Sequence, residues 1–181
     1  PRLAEMIRQK SLVAVVGPSG SGKSSVVLAG LLAHLPQNPA STPSGPLEPP
    51  DPWLPVVVRP GPEPCRRLTD ELQALLPPSA ADPAAAPQPT AEAPPPPAVL
   101  VADILKQAPA ATRLLLVIDQ FEEVYTQVNW AEERNAFLRL LAQAATTPDS
   151  RLRIIITLRA DFYDRPLLHP EFGALVRQST E

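Results

Sequence analysis

The sequence predicts an α/β fold in which parallel strands alternate with helices. Four short runs rich in apolar and β-branched residues, each about the length of one buried strand, are separated by segments with helical spacing. The first run leads into a glycine-rich loop, and the third ends in an aspartate. Open α/β sheets bind ligands at the carboxyl edge of the strands, so we expect this loop and this aspartate to share a site. The predicted strands are 12–16, 53–59, 114–119 and 153–159.

Length, net charge and cysteine content exclude several classes of protein. The chain has 181 residues, a formal net charge of −3 and a single cysteine, Cys65. This length suits one domain with a sizeable core, and the charge gives no electrostatic reason to expect nucleic acid or an anionic membrane as the main partner. One cysteine excludes an internal disulfide, and no apolar run approaches the roughly 20 residues of a membrane span. We therefore expect a soluble cytoplasmic protein.

Proline is unevenly distributed along the chain. Twenty of the 26 prolines lie between Pro36 and Pro97. Residues 77–97 are almost entirely proline, alanine and small polar residues, which bury too little apolar surface to offset the entropy lost on ordering. We predict a disordered insertion over 77–97 and a long loop over 37–52.

The strongest motif is the glycine-rich loop at 17–24, which matches the phosphate-binding pattern G-x-x-x-x-G-K-[ST] at every fixed position. Its glycines let successive backbone N–H groups point inward, and a helix predicted over 24–35 adds the positive end of its dipole. Lys23 would supply a charge for the β- and γ-phosphates, and the Ser24 hydroxyl a hard oxygen ligand for Mg²⁺. The predicted nucleotide-binding residues are Gly17, Pro18, Ser19, Gly20, Ser21, Gly22, Lys23, Ser24 and Ser25.

Charged residues follow the third and fourth predicted strands. Asp119 ends the third strand, where it is predicted to join Ser24 in binding the metal ion, directly or through water. Glu122 and Glu123 follow within a few residues. Arg159 ends the fourth strand, from which a cation can reach the γ-phosphate.

A helix is predicted over 129–145. Asn129 followed by Glu132 three residues later fits a capping box, which favours a helix start at Asn129. In that helix Trp130 is predicted to lie in or near the core.

Three segments together resemble the STAND class of P-loop NTPases, in particular a prokaryotic group whose NTPase module is often fused to WD-repeat, caspase-like or kinase domains. They are 17–25, 115–123 and 157–163. The resemblance implies a three-layer sandwich with parallel strands in the order 1-4-3-2, and ATP with Mg²⁺ as ligands. It also implies that Asp119 orients the metal and that Arg159 senses the γ-phosphate, with a salt bridge at the strand edge as the alternative role for Arg159.

The residue that orients the attacking water stays open at this point. Glu122 and Glu123 match an acidic pair that follows the aspartate in related modules, and either could be the base or simply a carboxylate at a helix start. Gln120 stands where many ATPases carry a catalytic glutamate.

The resemblance implies a slowly hydrolysing, ATP-dependent switch in a multidomain signalling protein. This chain would be the N-terminal part of the NTPase module, with a fifth strand, a helical lid and fused sensor or effector domains expected beyond Glu181. A second hypothesis, supported by Gln120, is a scaffold that binds nucleotide without hydrolysis and forms homo-oligomers. A third is a P-loop kinase or transport ATPase, although no Leu-Ser-Gly-Gly-Gln-like signature and no arginine-rich lid occur in the sequence.

Overall fold

The computed structural model describes residues 2–35, 52–76, 95–148 and 150–180. Residues 37–51 of the predicted loop and 77–94 of the predicted insertion therefore lie outside the described residues. The predicted insertion extended to Pro97, whereas the structure begins a helix at Pro97. Proline is compatible with this position because the first residue of a helix has no intrahelical partner for its N–H.

Four parallel strands form one sheet in the order β1-β4-β3-β2, which confirms the predicted order. In the register, Gly17 at the end of β1 lies opposite Arg159 at the end of β4, and Ile118 of β3 lies opposite Ile156 of β4. The strand that carries Arg159 thus lies between the phosphate-loop strand and the Asp119 strand. The strands are β1 (Leu12–Gly17), β2 (Trp53–Val58), β3 (Arg113–Ile118) and β4 (Leu152–Arg159).

Helices cover both faces of the sheet. The described helices are α1 (Arg2–Gln9), α2, α3 (Pro64–Gln73), α4 (Pro97–Gln107), α5 (Glu123–Thr126), α6 (Ala131–Thr146), α7 (Asp164–Leu167) and α8 (Pro170–Gln178). Helix α2 begins with an α-helical turn, Lys23–Ser25, continues as a π-helix, Val26–Leu31, and ends as a 3₁₀ turn, Leu32–His34. A second 3₁₀ turn, Ala160–Phe162, follows β4 directly.

Side chains alternate between the two faces, as the pleat of a strand requires. Val13, Val117 and Ile155 pack with α1 and α2 on one face. Their neighbours in the same strands pack on the other face with α3, α4, α6 and α8. Most strand side chains are buried on both faces, with Val57 of the edge strand β2 exposed, which explains the nearly continuous apolar sequences of the strands. The result is the three-layer α/β sandwich that the resemblance implied.

Three stacked phenylalanines join the end of β3 to α6 and α8. The ring centroid of Phe121 lies 6.5 Å from that of Phe137 and 5.4 Å from that of Phe172. All three side chains are fully buried. This cluster holds α6 and α8 in place beside the carboxyl edge of the sheet.

The start of α6 differs from the prediction. The helix begins at Ala131, its N-cap residue is Trp130, and no side chain caps it, so the predicted capping box at Asn129 is wrong. Trp130 is 73% exposed, so its predicted place in or near the core is also wrong. Trp130 stands seven residues before Phe137 and would share its buried face in a helix, but its backbone is extended (φ −102°, ψ 126°).

Within the ranges that the structure covers, no helix has both the length and the apolar character needed to cross a membrane.

Candidate functional site

The loop between β1 and α2 has the backbone that its glycines predict. Gly20 and Gly22 have φ angles of 74° and 83°, in the left-handed region that glycine adopts without the penalty of a side chain. At Gly17 a Cβ atom would lie 2.9 Å from the Ser21 hydroxyl, closer than real contacts allow. Glycine is therefore favoured at Gly20 and Gly22 by the backbone, whereas a side chain at Gly17 would require the Ser21 hydroxyl to move.

Lys23 folds back onto this loop. Its Nζ atom donates hydrogen bonds to the carbonyl oxygens of Gly17 (2.9 Å) and Pro18 (2.7 Å). Neutral carbonyl oxygens are weaker partners for an ammonium group than the anionic oxygens of a phosphate. We therefore expect the Lys23 ammonium group to leave these carbonyl oxygens for phosphate oxygens when a phosphate tail occupies the loop.

Asp119 lies beside the start of α2, although 95 residues separate it from Ser24. Its Oδ1 atom accepts hydrogen bonds from the Ser24 hydroxyl (2.6 Å) and the Thr157 hydroxyl (2.7 Å). The Asp119 side chain is 1% exposed, and its Oδ2 atom has no hydrogen-bond partner among the described residues. The charge nearest Oδ2 is the guanidinium of Arg59, at 3.5 Å, whose side chain is largely exposed. A buried carboxylate oxygen with so few partners is suited to a cation.

Thr157 is a site residue that the sequence analysis did not identify. It is 1% exposed, its hydroxyl donates to Asp119, and it accepts a hydrogen bond from the backbone N–H of Gln120 at 2.9 Å. Gln120 has a φ of 57°, so the chain turns sharply directly after Asp119. The signal in the sequence was a single hydroxyl in an otherwise apolar strand, 154–158.

Arg159 is paired within the protein. Its Nε and Nη2 atoms donate to the two carboxylate oxygens of Asp161 at 3.1 and 2.6 Å, and its guanidinium lies 5.5 Å from the centre of the Phe162 ring. The hydrogen bond from Arg159 holds the pKa of Asp161 below its ordinary value, and the charge of Lys23 contributes to the shift. The two predicted phosphate-binding cations thus both lower the pKa of the same exposed carboxylate.

The two predicted glutamates point to different places. The Oε2 atom of Glu122 accepts a hydrogen bond from the backbone N–H of Arg159 at 3.3 Å, and Glu122 lines the cleft beside the phosphate loop. The Oε2 atom of Glu123 accepts from the backbone N–H of Gly61 at 3.1 Å, in the turn after β2, and Glu123 does not line the cleft. Of the pair, the structure brings only Glu122 to the phosphate loop.

These elements enclose a cleft of about 320 Å³ at the carboxyl edge of the sheet. Most of the predicted phosphate-loop residues line it, together with residues that follow β3 and residues at the end of β4. The lining residues are Ser19, Gly20, Gly22, Lys23, Ser24, Ser25, Gln120, Glu122, Thr157 and Arg159.

The oxygen atoms beside this cleft fit Mg²⁺. The Ser24 hydroxyl and the Asp119 carboxylate are hard oxygen ligands that lie side by side, and the Oδ2 atom of Asp119 has no hydrogen-bond partner among the described residues. In the described part of the chain no cluster of three or more His, Cys, Asp or Glu side chains could hold a metal ion by itself. A Mg²⁺ ion at Ser24 and Asp119 would therefore complete its shell with water and phosphate oxygens, as this ion commonly does.

Comparison with known proteins agrees with the fold and the motifs. Residues 1–181 match the family model described as Novel STAND NTPase 1. The chain belongs to this family. Family membership, together with the phosphate-binding loop, makes it a nucleotide-binding P-loop NTPase module of the STAND class. No curated protein sequence matches the chain.

Solved structures with a similar fold include the Aeropyrum pernix ORC2 protein, determined as ADPNP–ADP complexes. The identity is 17%, the TM-score is 0.51, and the match covers 97% of this chain and 44% of that one. The Drosophila ORC bound to DNA also matches, with 16% identity, a TM-score of 0.42, and coverage of 83% and 32%. The chain therefore spans less than half the length of either protein.

Proposed function

We propose that this NTPase module binds ATP with Mg²⁺ and works as a slowly hydrolysing conformational switch in a larger cytoplasmic signalling protein. The observation that carries the proposal is the convergence of Lys23, Ser24, Asp119 and Arg159 at one edge of the sheet. In the complete protein, fused sensor or effector domains, such as WD-repeat domains, would respond to the state of this site.

Binding would exchange partners inside the protein for partners on the nucleotide. The phosphate tail would accept hydrogen bonds from the loop N–H groups, and Lys23 would leave two carbonyl oxygens for phosphate oxygens. Each charge-assisted contact of this kind contributes about 1.5–3 kcal/mol. Ser24 and Asp119 would hold Mg²⁺, which neutralises charge on the phosphate oxygens.

In this proposal the Arg159–Asp161 pair is what makes the protein respond differently to ATP and to ADP. A ligand shifts a conformational equilibrium only if it interacts differently with the two conformations. The γ-phosphate of ATP offers Arg159 a stronger partner than the exposed carboxylate of Asp161, and ADP lacks that group. Arg159 would therefore lie on the phosphate in the ATP state and on Asp161 in the ADP state.

Glu122 is the acid that we assign to orient the attacking water, because it lines the cleft and Glu123 does not. The residue beside Asp119 is Gln120, which also lines the cleft and cannot accept a proton as a carboxylate does. Hydrolysis would therefore depend on Glu122 alone among the carboxylates that line the cleft in the described residues, and we propose that it is slow.

Calorimetry with ATP and Mg²⁺ tests the binding step. The Lys23→Ala variant is expected to lose ATP binding, because it removes the positive charge from the phosphate loop. The matched control is Lys106→Ala, which removes an exposed lysine of α4 whose partner is Asp103. Circular dichroism checks that both variants fold. Unchanged ATP affinity in Lys23→Ala would overturn the proposal.

The scaffold hypothesis keeps one supporting observation, the amide of Gln120 in the cleft. Light scattering and phosphate release, measured with ATP, ADP and a non-hydrolysable analogue, separate it from the switch. A scaffold would assemble equally well with ATP and with the analogue and would release no phosphate. A P-loop kinase would instead transfer phosphate to an added acceptor faster than to water.

A further inference from the structure

A second and larger cleft, of about 590 Å³, lies between α6 and the segment that contains α7. Its walls come from α5, α6, the 3₁₀ turn after β4, α7 and the start of α8. None of its lining residues belongs to the phosphate loop or to the predicted catalytic set.

The cleft concentrates positive charge in a chain whose net charge is −3. Arg134, Arg139 and Arg165 line it, and no Asp or Glu side chain does. Within the described residues none of these three arginines forms a salt bridge, whereas Arg66 and Arg67 on α3 both do. Three guanidinium groups that face one cavity without a carboxylate repel each other, and a bound anion would relieve that repulsion.

Two further hydrogen-bond donors line the same cavity. The hydroxyl of Tyr125 is buried and has no hydrogen-bond partner among the described residues. Burial raises the pKa of Tyr125, and the charges of Arg134 and Arg165, which line the same cleft, act in the opposite direction. His169 uses its Nδ1 atom to accept from the backbone N–H of Phe172 at 3.3 Å. The neutral ring therefore carries its proton on Nε2 and is a donor.

Apolar side chains also line the cleft. Phe162 and Leu168 line it, and the Leu168 side chain is 78% exposed. A leucine this exposed at the mouth of a cavity offers apolar contact area that the core of the protein does not use.

We propose that this cleft is a second ligand site, for a small molecule that carries a phosphate monoester on an apolar or aromatic body. Three guanidinium groups, a phenol and an imidazole are enough donors for the terminal oxygens of one phosphate group. A carboxylate has only two oxygens and would leave some of these donors without a partner. Phe162 and Leu168 would hold the organic part of the ligand. None of the lining residues binds the nucleotide in the proposed switch, although Phe162 contacts Arg159 of the nucleotide cleft.

Phenyl phosphate is the probe that tests the proposal. It is titrated by calorimetry into the Lys23→Ala variant, so that the phosphate loop does not compete for the probe. We expect one binding site for phenyl phosphate. Adding Arg134→Gln and Arg165→Gln together to the Lys23→Ala background should weaken the affinity at least tenfold. Adding Tyr125→Phe alone should weaken it severalfold. The matched control, Arg66→Gln, removes an exposed arginine of α3 that lies outside both clefts and should leave the affinity unchanged.

Inorganic phosphate serves as the second probe and shows how much of the affinity comes from the phosphate group and how much from the organic body. It is expected to bind several times more weakly than phenyl phosphate, since it lacks the aromatic body. Equal affinities for the two probes would overturn the apolar half of the proposal. Absence of phenyl phosphate binding, or binding that the arginine substitutions leave unchanged, would overturn the site itself, whatever the result with ATP.

Discussion

The two clefts differ in how their charges are arranged before any ligand binds. In the nucleotide cleft the charged groups have partners inside the protein: Lys23 bonds to loop carbonyls, and Arg159 bonds to Asp161. In the second cleft Arg134 and Arg165 face no carboxylate. A ligand in the first cleft must replace internal contacts and thereby changes the protein, whereas a ligand in the second only adds contacts. The first arrangement suits a switch, and the second suits simple binding.

The largest expected effect comes from the two adjacent glutamates. Glu122→Gln is expected to lower the kcat of ATP hydrolysis by about 10²–10⁴-fold with little change in ATP affinity, because it removes the only carboxylate that lines the cleft among the described residues. Glu123→Gln should keep most of the activity, since an amide oxygen can still accept the hydrogen bond from Gly61. Phosphate release under saturating ATP measures both. Equal losses in the two variants would contradict the assignment of Glu122.

A pair of buried threonines tests whether the nucleotide cleft is held together from within. Thr157→Val removes the donor to Asp119 and the acceptor for Gln120 N–H, both in a buried position, and is expected to lower the free energy of unfolding by about 1–3 kcal/mol. Thr112 is the matched control, because its hydroxyl is buried and has no partner in the described part of the chain. Thr112→Val should be neutral or stabilising in urea denaturation. A Thr157→Val protein as stable as the wild type would show that these bonds do not hold Asp119.

The smallest expected effect concerns the exchange of partners by Arg159. Asp161→Asn removes the charge that competes with the γ-phosphate, so ATP affinity should rise while ADP affinity changes little. Because ion pairs between exposed groups are weak and screened by water, the increase should be no more than a few-fold. The control is Asp164→Asn, at the exposed start of α7, which does not pair with Arg159.

The effect of Asp161 should not depend on pH between 5 and 8. The lowered pKa of its carboxyl means that the ion pair is present above the ordinary pKa and is lost only as the pH falls through the lowered value. Equilibrium dialysis with ATP and ADP at both ends of this range checks it. A drop in ATP affinity for Asp161→Asn would contradict the exchange.

Much of the fold could be predicted from local patterns. Strands buried on both faces have continuous apolar sequences, so all four were identified within one or two residues. Their order came from the family resemblance, since periodicity does not specify which strands are neighbours. The start of α6 was not predicted, because Trp130 fits the helical spacing but its backbone is extended.

The site was predictable where one motif contains it and not where it depends on neighbours in space. Lys23 and Ser24 follow from the loop pattern. Thr157 could not be assigned from sequence because its partner Asp119 is 38 residues away in the chain. Glu122 and Glu123 are adjacent and chemically equal, and only the fold turns one toward the cleft. The second cleft is built from segments between 125 and 170, and its arginines come from two different helices, α6 and α7, which no local pattern predicts to be neighbours.

The central claim is that Lys23 and Asp119 serve the same phosphate tail, and a crystal structure with Mg²⁺ and a non-hydrolysable ATP analogue tests it most directly. We predict that the triphosphate lies in the loop 17–24, that the Lys23 ammonium has moved from the carbonyl oxygens of Gly17 and Pro18 to phosphate oxygens, and that the metal ion lies beside Ser24 and Asp119. A triphosphate bound elsewhere, or Lys23 still bonded to the two carbonyls beside a bound nucleotide, would contradict the account.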